Sequence, residues 1–255
     1  MRHTPEKRTW SAGLALLGLT ALLLAPSSAI GAKPPPLPLS LCADQNTFSL
    51  TIDNPFDPLP VGQRWVYSGQ EHGQTIGLRI TVLDATESFY SGQNKVITRV
   101  VEELEWEDAD GDGVVDGDEF VIEVSRNYYA QTQDGTVCYF GEDVDIFHED
   151  GSVTHEGAWR ADDAGNAPGI FMPADPAVGM TFQQESAPGI AEDEATIVRS
   201  GSTVKVPAGT FTDTITVRDF NPLDGSRGTK AYARDVGLVS DGPLDLINYS
   251  PPLNP

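Results

Sequence analysis

Residues 75–83 run Thr75-Ile76-Gly77-Leu78-Arg79-Ile80-Thr81-Val82-Leu83. Ile76, Leu78, Ile80 and Val82 fall on one face, and Thr75, Arg79 and Thr81 fall on the other, a period of two. Successive side chains of an extended chain point to opposite sides, whereas helical apolar positions recur every three or four residues, so this spacing specifies a half-buried strand. The same logic picks out Val96 to Leu104, Phe120 to Ser125, Val137 to Phe140, Phe211 to Val217 and Lys230 to Ala233. Turn residues punctuate them at Asp134-Gly135, Asp150-Gly151, Pro207-Ala208-Gly209 and Asp224-Gly225. Short turns between successive strands imply an antiparallel meander, and no stretch has the periodicity of a long amphipathic helix. Ala161 to Met180 lacks periodicity and holds Pro168, Pro173 and Pro176; an ordered loop of that length is often functional.

Upstream, Arg2, Lys7 and Arg8 precede an apolar run from about Gly13 to Ala25 and small residues from Ser27 to Ala32, the layout of a secretory signal peptide over residues 1–32. That run is too short to span a bilayer, and cleavage after Ala29, Gly31 or Ala32 fits. Cys42 follows Leu41 well downstream of the run, which disfavours a lipid anchor. The expected location is therefore secreted or periplasmic. Residues 33–41 begin Lys33-Pro34-Pro35-Pro36-Leu37-Pro38 and suit an extended spacer. Residues 42–255 show no internal repeat or second linker and fit one β-rich domain.

Removing Arg2, Lys7, Arg8 and Glu6 from 16 basic and 38 acidic residues leaves 13 and 37, a mature net charge of −24. A surface that negative repels nucleic acid and anionic lipid. It suits cationic ligands, metal ions or solubility alone. Cys42 and Cys138 are the two cysteines. An even count in an exported chain favours one disulfide, with two buried free thiols as the alternative.

Asp108-Ala109-Asp110-Gly111-Asp112-Gly113-Val114-Val115-Asp116-Gly117-Asp118-Glu119 matches the twelve-residue calcium-loop pattern. Asp108, Asp110 and Asp112 supply carboxylate oxygens, Gly113 permits the sharp turn and Val114 offers its carbonyl. Asp116 acts through water, and Glu119 closes the site with two oxygens. The β-branched flanks favour a β-hairpin as the mount for this loop, while Val100, Val101 and Leu104 would also suit one face of a helix. The alternative is an Asp/Gly-rich turn in an acidic protein. The expected fold is thus all-β, an antiparallel meander forming a barrel-like or strongly curved sheet with a calcium-loop hairpin, and Ca²⁺ is the expected cofactor.

Beyond these motifs, the chain carries Thr47 to Tyr67 (TFSLTIDNPFDPLPVGQRWVY), Tyr139 to Asp145 (YFGEDVD), His155 to Ala161 (HEGAWRA), Pro168 to Met180 (PGIFMPADPAVGM), and Gln184-Glu185 with Pro188 to Asp193 (PGIAED). With Val206 to Phe211 (VPAGTF) and Tyr232 to Val239 (YARDVGLV), they span most of the mature chain. Together they resemble a family of uncharacterised exported bacterial proteins. The last two segments also resemble, less specifically, the C-terminal pattern of β-rich bacterial envelope lipoproteins. The resemblance implies no activity, since none is established for the family. Its members carry a plainer hairpin in place of Asp108 to Glu119, which implies that calcium binding is an addition here.

Other candidate chemistry is sparse. With Asp150-Gly151 as a two-residue turn, His148 opposes Val153 and Ile146 opposes His155, so both imidazoles lie diagonally on one face and could begin a transition-metal site, for which no third ligand is identified. The alternative is two ordinary histidines. Carboxylates sit at Glu142 and Asp143, at Glu156, at Glu185, and at Glu192 and Asp193. Among them Glu142, Glu185 and Glu192 are the candidates for a hydrolytic pair, with Trp159 or Trp65 as a stacking platform. Such groupings are also expected by chance in so acidic a chain. No Gly-x-Ser-x-Gly and no phosphate-cradling glycine loop is present. The leading expectation is an exported, calcium-binding, non-catalytic protein that holds a small-molecule or carbohydrate ligand. An extracellular hydrolase and a structural envelope protein are the alternatives.

Overall fold

The structure is a computed structural model that describes residues 34–45, 47–91, 94–117 and 119–250. The signal peptide expected over 1–32 lies outside the described residues. The protein is all-β, and its one helix among the described residues is the short Ser40–Ala43. No described helix is long and apolar enough to cross a membrane.

One large antiparallel sheet dominates, made of two meanders. The first runs Arg64–Glu71, Gln74–Ser91, Asn94–Glu107, Val121–Thr132 and Val137–Phe147, each strand pairing with the next. The second runs Thr181–Gln183, Glu194–Val206, Gly209–Phe220, Arg227–Ala233, Gly237–Asp241 and Leu244–Ser250. They join at the middle of the sheet, where Leu244–Ser250 pairs with Arg64–Glu71 and Ser250 lies opposite Arg64. A separate small hairpin, Asp53–Asn54 with Asp57–Pro58, packs nearby. Its Asp53 and Asn54 amides both donate to Gln131 Oε1 at 3.0 Å. Its Asn54 Nδ2 donates to the Gly135 and Pro173 carbonyls.

The alternation at 76–82 has its expected consequence, since Ile76, Leu78, Ile80 and Val82 are all buried. Each contributes on the order of 2 kcal/mol by leaving water. The observed strands run longer than the apolar pattern. Val137–Phe147 continues through Gly141-Glu142-Asp143, which propensity alone would end, because it is paired on both sides. The aperiodic Ala161 to Met180 is only partly loop, for Gly169–Met172 pairs with Val137–Phe147.

No closed barrel forms among the described residues; the strand order is open. The two margins nevertheless meet. The Ala167 amide donates to the Ser186 carbonyl at 2.9 Å, and Gln184 Nε2 donates to the Phe171 carbonyl at 3.3 Å. Only a glycine fits at 169, since a Cβ there would stand 1.9 Å from the Gln184 carbonyl oxygen.

Cys42 and Cys138 form the expected disulfide, with 5.7 Å between their Cα atoms. It pins the Ser40–Ala43 turn to the strand Val137–Phe147. The spacer also touches the domain, because the Leu37 amide donates to the Thr181 carbonyl at 2.8 Å.

The histidine expectation fails on register. The Gly151 amide donates to the His148 carbonyl and the His148 amide to the Ser152 carbonyl, while Gly151 has φ 81°. The turn therefore has three residues with glycine in the left-handed position, not two. Pairing shifts by one, to Phe147 with Val153 and Ile146 with Thr154, and the two imidazoles fall on opposite faces. His148 Nε2 contacts Thr154 Oγ1 at 2.9 Å, and His155 Nδ1 contacts the Val144 carbonyl at 2.7 Å.

Candidate functional site

Two acidic constellations stand out. The first is the Asp108–Glu119 loop, which joins the paired strands Asn94–Glu107 and Val121–Thr132. Gly111 and Gly113 take φ values of 76° and 75°, left-handed conformations that L side chains resist. Those turns let the chain curl around its own carboxylates. Asp108, fully buried, accepts from the Gly111 amide on Oδ1 at 3.0 Å and from the Gly113 amide on Oδ2 at 3.1 Å. Asp110 Oδ1 accepts from the Asp112 amide and Asp112 Oδ1 from the Val114 amide. One oxygen from each of Asp108, Asp110 and Asp112 lies within 4.8 Å of the others, so this group could hold a metal ion.

The remaining expected ligands are placed differently. Glu119 spans the loop, accepting from Ala109 on Oε1 at 2.9 Å and from Asp116 on Oε2 at 3.2 Å. Asp116 and Glu119 lie outside the tight carboxylate group. Gly113 packs against the sheet, where a Cβ would meet Ile247 Cδ1 at 2.4 Å.

The second constellation lines a partly open cavity of about 190 Å³. The first meander supplies Glu103, Asn127, Tyr129, Tyr139 and Glu142 to its wall. The far margin and the second meander supply Glu185, Asp193, Lys230, Tyr232 and Asp241. Asp57 enters from the small hairpin.

Local structure explains how Tyr139 and Glu142, three residues apart, both face inward. In a regular strand they would point to opposite sides. The register instead pairs Tyr139 with Tyr129 and Glu142 with Asn127, leaving one extra residue on the Val137–Phe147 strand. Such a bulge re-aims the following side chain. Gly141 sits within it at φ 131°, and a Cβ there would stand 2.2 Å from the Trp159 carbonyl oxygen. Gly141→Ala should therefore cost about 2 kcal/mol or more, and at this size lower the melting temperature by about 4–8 °C. An unchanged thermal midpoint would show that the bulge is not held by this contact.

The electrostatics of the wall are unusual. Burial, reinforced by Glu103, pushes the Asp57 carboxyl up to about 7. Burial likewise pushes Glu103 up to about 7, against the pull of Lys230. Burial and the neighbouring Asp193 push Glu185 up to about 8, and burial together with Glu185 holds Glu142 well above the carboxylate range. Glu103, Glu142 and Glu185 retain some accessible surface because they face the hollow while protein surrounds them. Lys230 is held by Asp241 at 3.6 Å and Asp219 at 3.7 Å. Asp57 Oδ2 is buried with no hydrogen-bond partner among the described residues.

Of the three carboxylates expected to work together, the structure brings Glu142 and Glu185 to one cavity and leaves Glu192 out. Glu192 Oε1 accepts instead from the Gly189 amide in its own turn. Trp65 and Trp159 are core residues that do not line the cavity. Asp57, Glu103, Lys230 and Asp241 belong to the site without having been expected. The available signal was a charged residue at an inward position, since Glu103 follows Val101 by two and pairs across from Ile80.

No protein-family model, curated protein or solved structure matches the chain.

Proposed function

We propose that this chain is an exported, non-catalytic binding protein whose Asp108–Glu119 loop holds one calcium ion. The observation that carries the calcium reading is the convergence of Asp108, Asp110 and Asp112 oxygens within 4.8 Å at the head of a hairpin. The donors are hard oxygens with no histidine or cysteine among them, which suits calcium rather than a transition metal. Glu119, already reaching both ends of the loop, would exchange its amide partners for the ion. The Val114 carbonyl and Asp116, through water, would complete the shell. The signal-peptide layout and the disulfide support export, secreted or periplasmic.

With a single loop of this kind, the affinity expected is in the range of about 10⁻⁴ to 10⁻³ M. Excess calcium at roughly one hundred times Kd should stabilise the mature protein by about 2.7 kcal/mol, a rise of about 5–10 °C in melting temperature. Magnesium should not reproduce it. Glu119→Gln should abolish most of the rise while leaving the calcium-free midpoint nearly unchanged. Absence of a calcium-specific shift, with no binding by direct titration, would reduce the loop to an acidic turn.

The cavity favours binding over a purely structural envelope role, for which a filled core would serve. Its polar wall suits a small polar molecule or a carbohydrate better than an apolar one. The mature charge of −24, from 13 basic and 37 acidic residues, disfavours nucleic acid. The hydrolase reading has one specific observation behind it, the meeting of Glu142 and Glu185. Carboxylate-pair hydrolysis, however, needs one partner ionised while the other is protonated. Here burial pushes both up together, Glu185 to about 8 and Glu142 well above the carboxylate range.

A further inference from the structure

The cavity has more acid than its wall can neutralise. Among the lining residues Lys230 is the one cation, and Asp219 and Asp241 hold it on its own side. Across the hollow, Asp57, Glu103, Glu142 and Glu185 form no ion pair with any described residue. A buried carboxylate without a counter-charge is costly and takes up a proton instead. An independent observation points the same way. Asp57 is only 6% exposed, and its Oδ2 has no hydrogen-bond partner among the described residues. A group so buried and unsatisfied lacks a donor.

Aromatic faces complete the setting. Tyr129 stacks on Tyr139 with centroids 4.8 Å apart, and Phe171 leans on Tyr129 at 4.8 Å. All three line the cavity, as does Tyr232. Tyrosine and phenylalanine faces attract a positive charge through their quadrupole. An apolar hollow of about 150 Å³ takes one benzene molecule, so about 190 Å³ limits the guest to a compact molecule. Asp193, Lys230 and Asp241 also line a smaller adjoining hollow of about 120 Å³, bounded by Asn221 and Ser226 of an exposed turn.

We infer that this cavity is a binding site for a small organic cation, a primary amine or diamine, whose ammonium group takes the place of protons on Asp57, Glu103, Glu142 and Glu185. The site is separate from the Asp108–Glu119 loop and does not rest on calcium. Binding must release protons, because the cation favours the ionised carboxyls. The titratable groups facing the guest are those four together with Asp193, Asp241 and Lys230, and the three tyrosines stay neutral because burial pushes them upward.

The test is calorimetric titration of the mature, oxidised protein in excess calcium with 1,4-diaminobutane, and with 1,4-butanediol as its neutral counterpart. The diamine should bind at one site, with affinity rising about tenfold or more between pH 6 and pH 8, and the diol should give no signal. Glu103→Gln combined with Glu142→Gln should weaken diamine binding at least tenfold. Glu149→Gln, at an exposed turn, should leave it unchanged, which separates the cavity from general attraction to an acidic surface. No saturable diamine binding at any pH would overturn the inference. So would a diol that binds comparably, or a wild-type affinity that is flat or falls as pH rises, a result that needs no variant to fold.

Discussion

Replacing Cys42 and Cys138 together by alanine is expected to lower the melting temperature by roughly 10–15 °C. The bridge closes a loop spanning 96 residues, and for a loop of about that length the chain-entropy estimate is about 4 to 5 kcal/mol. At 2–4 °C per kcal/mol for a domain of this size, that loss gives the stated shift. Alanine is the appropriate replacement because both cysteines are buried, at 1% and 0% exposure, and serine would add an unsatisfied hydroxyl. Thermal unfolding of the variant beside the oxidised wild type makes the comparison. A shift below about 3 °C would mean that the N-terminal turn is held by packing and that the unfolded chain gains little from being cut loose.

The second large effect concerns pH. In calcium-free buffer the protein should melt at least about 10 °C higher at pH 5 than at pH 8.5. Asp57 moves from an ordinary value of 3.8 up to about 7, Glu103 from 4.5 to about 7 and Glu185 from 4.5 to about 8 on folding, each chiefly through burial. Between about pH 4 and pH 8 the folded state therefore carries protons that the unfolded chain has released. Stability must fall with rising pH wherever the folded state binds more protons. The contribution is complete below the unfolded values and is lost as pH climbs through 7 to 8. Exposed Asp134, Asp150, Glu156 and Asp224 shift downward through local hydrogen bonds, and their opposite effect lies below about pH 4, outside this window. Combining Asp57→Asn with Glu103→Gln should flatten the slope. A midpoint that stays level or rises from pH 5 to pH 8.5 would contradict the burial of these carboxyls around the cavity.

Much of the fold is legible from residues 75–83 alone, because a strand with one wet face must alternate. Where the alternation is short or interrupted, the pattern goes silent. Glu194–Val206 buries Ala195 and Ile197 before a polar run from Arg199 to Thr203, and Leu244–Ser250 buries only Leu244 and Leu246 before three exposed residues, so neither keeps the period long enough to be read. The register at His148 is not legible in the sequence because Asp-Gly serves both two-residue and three-residue turns, and only the hydrogen bonds distinguish them. The acidic loop is written almost completely in local sequence, since its carboxylates lie within twelve residues. The cavity is the reverse case. Asp57, Glu103, Glu142, Glu185 and Lys230 come from distant strands, and Glu142 depends on a bulge at Gly141 that no local spacing announces.

The pairing of Arg64–Glu71 with Leu244–Ser250 also governs timing. A chain that emerges N-terminus first can lay down its first meander strand by strand, since every partner is a near neighbour in sequence. The strand that unites the halves, Leu244–Ser250, is the last of the described strands in chain order, and Ser250 must find Arg64 across the whole length of both meanders. Until then both halves expose unpaired edges, and the hollow between them does not exist. Assembly of the two walls is thus withheld until Leu244–Ser250 has been made and has paired with Arg64–Glu71.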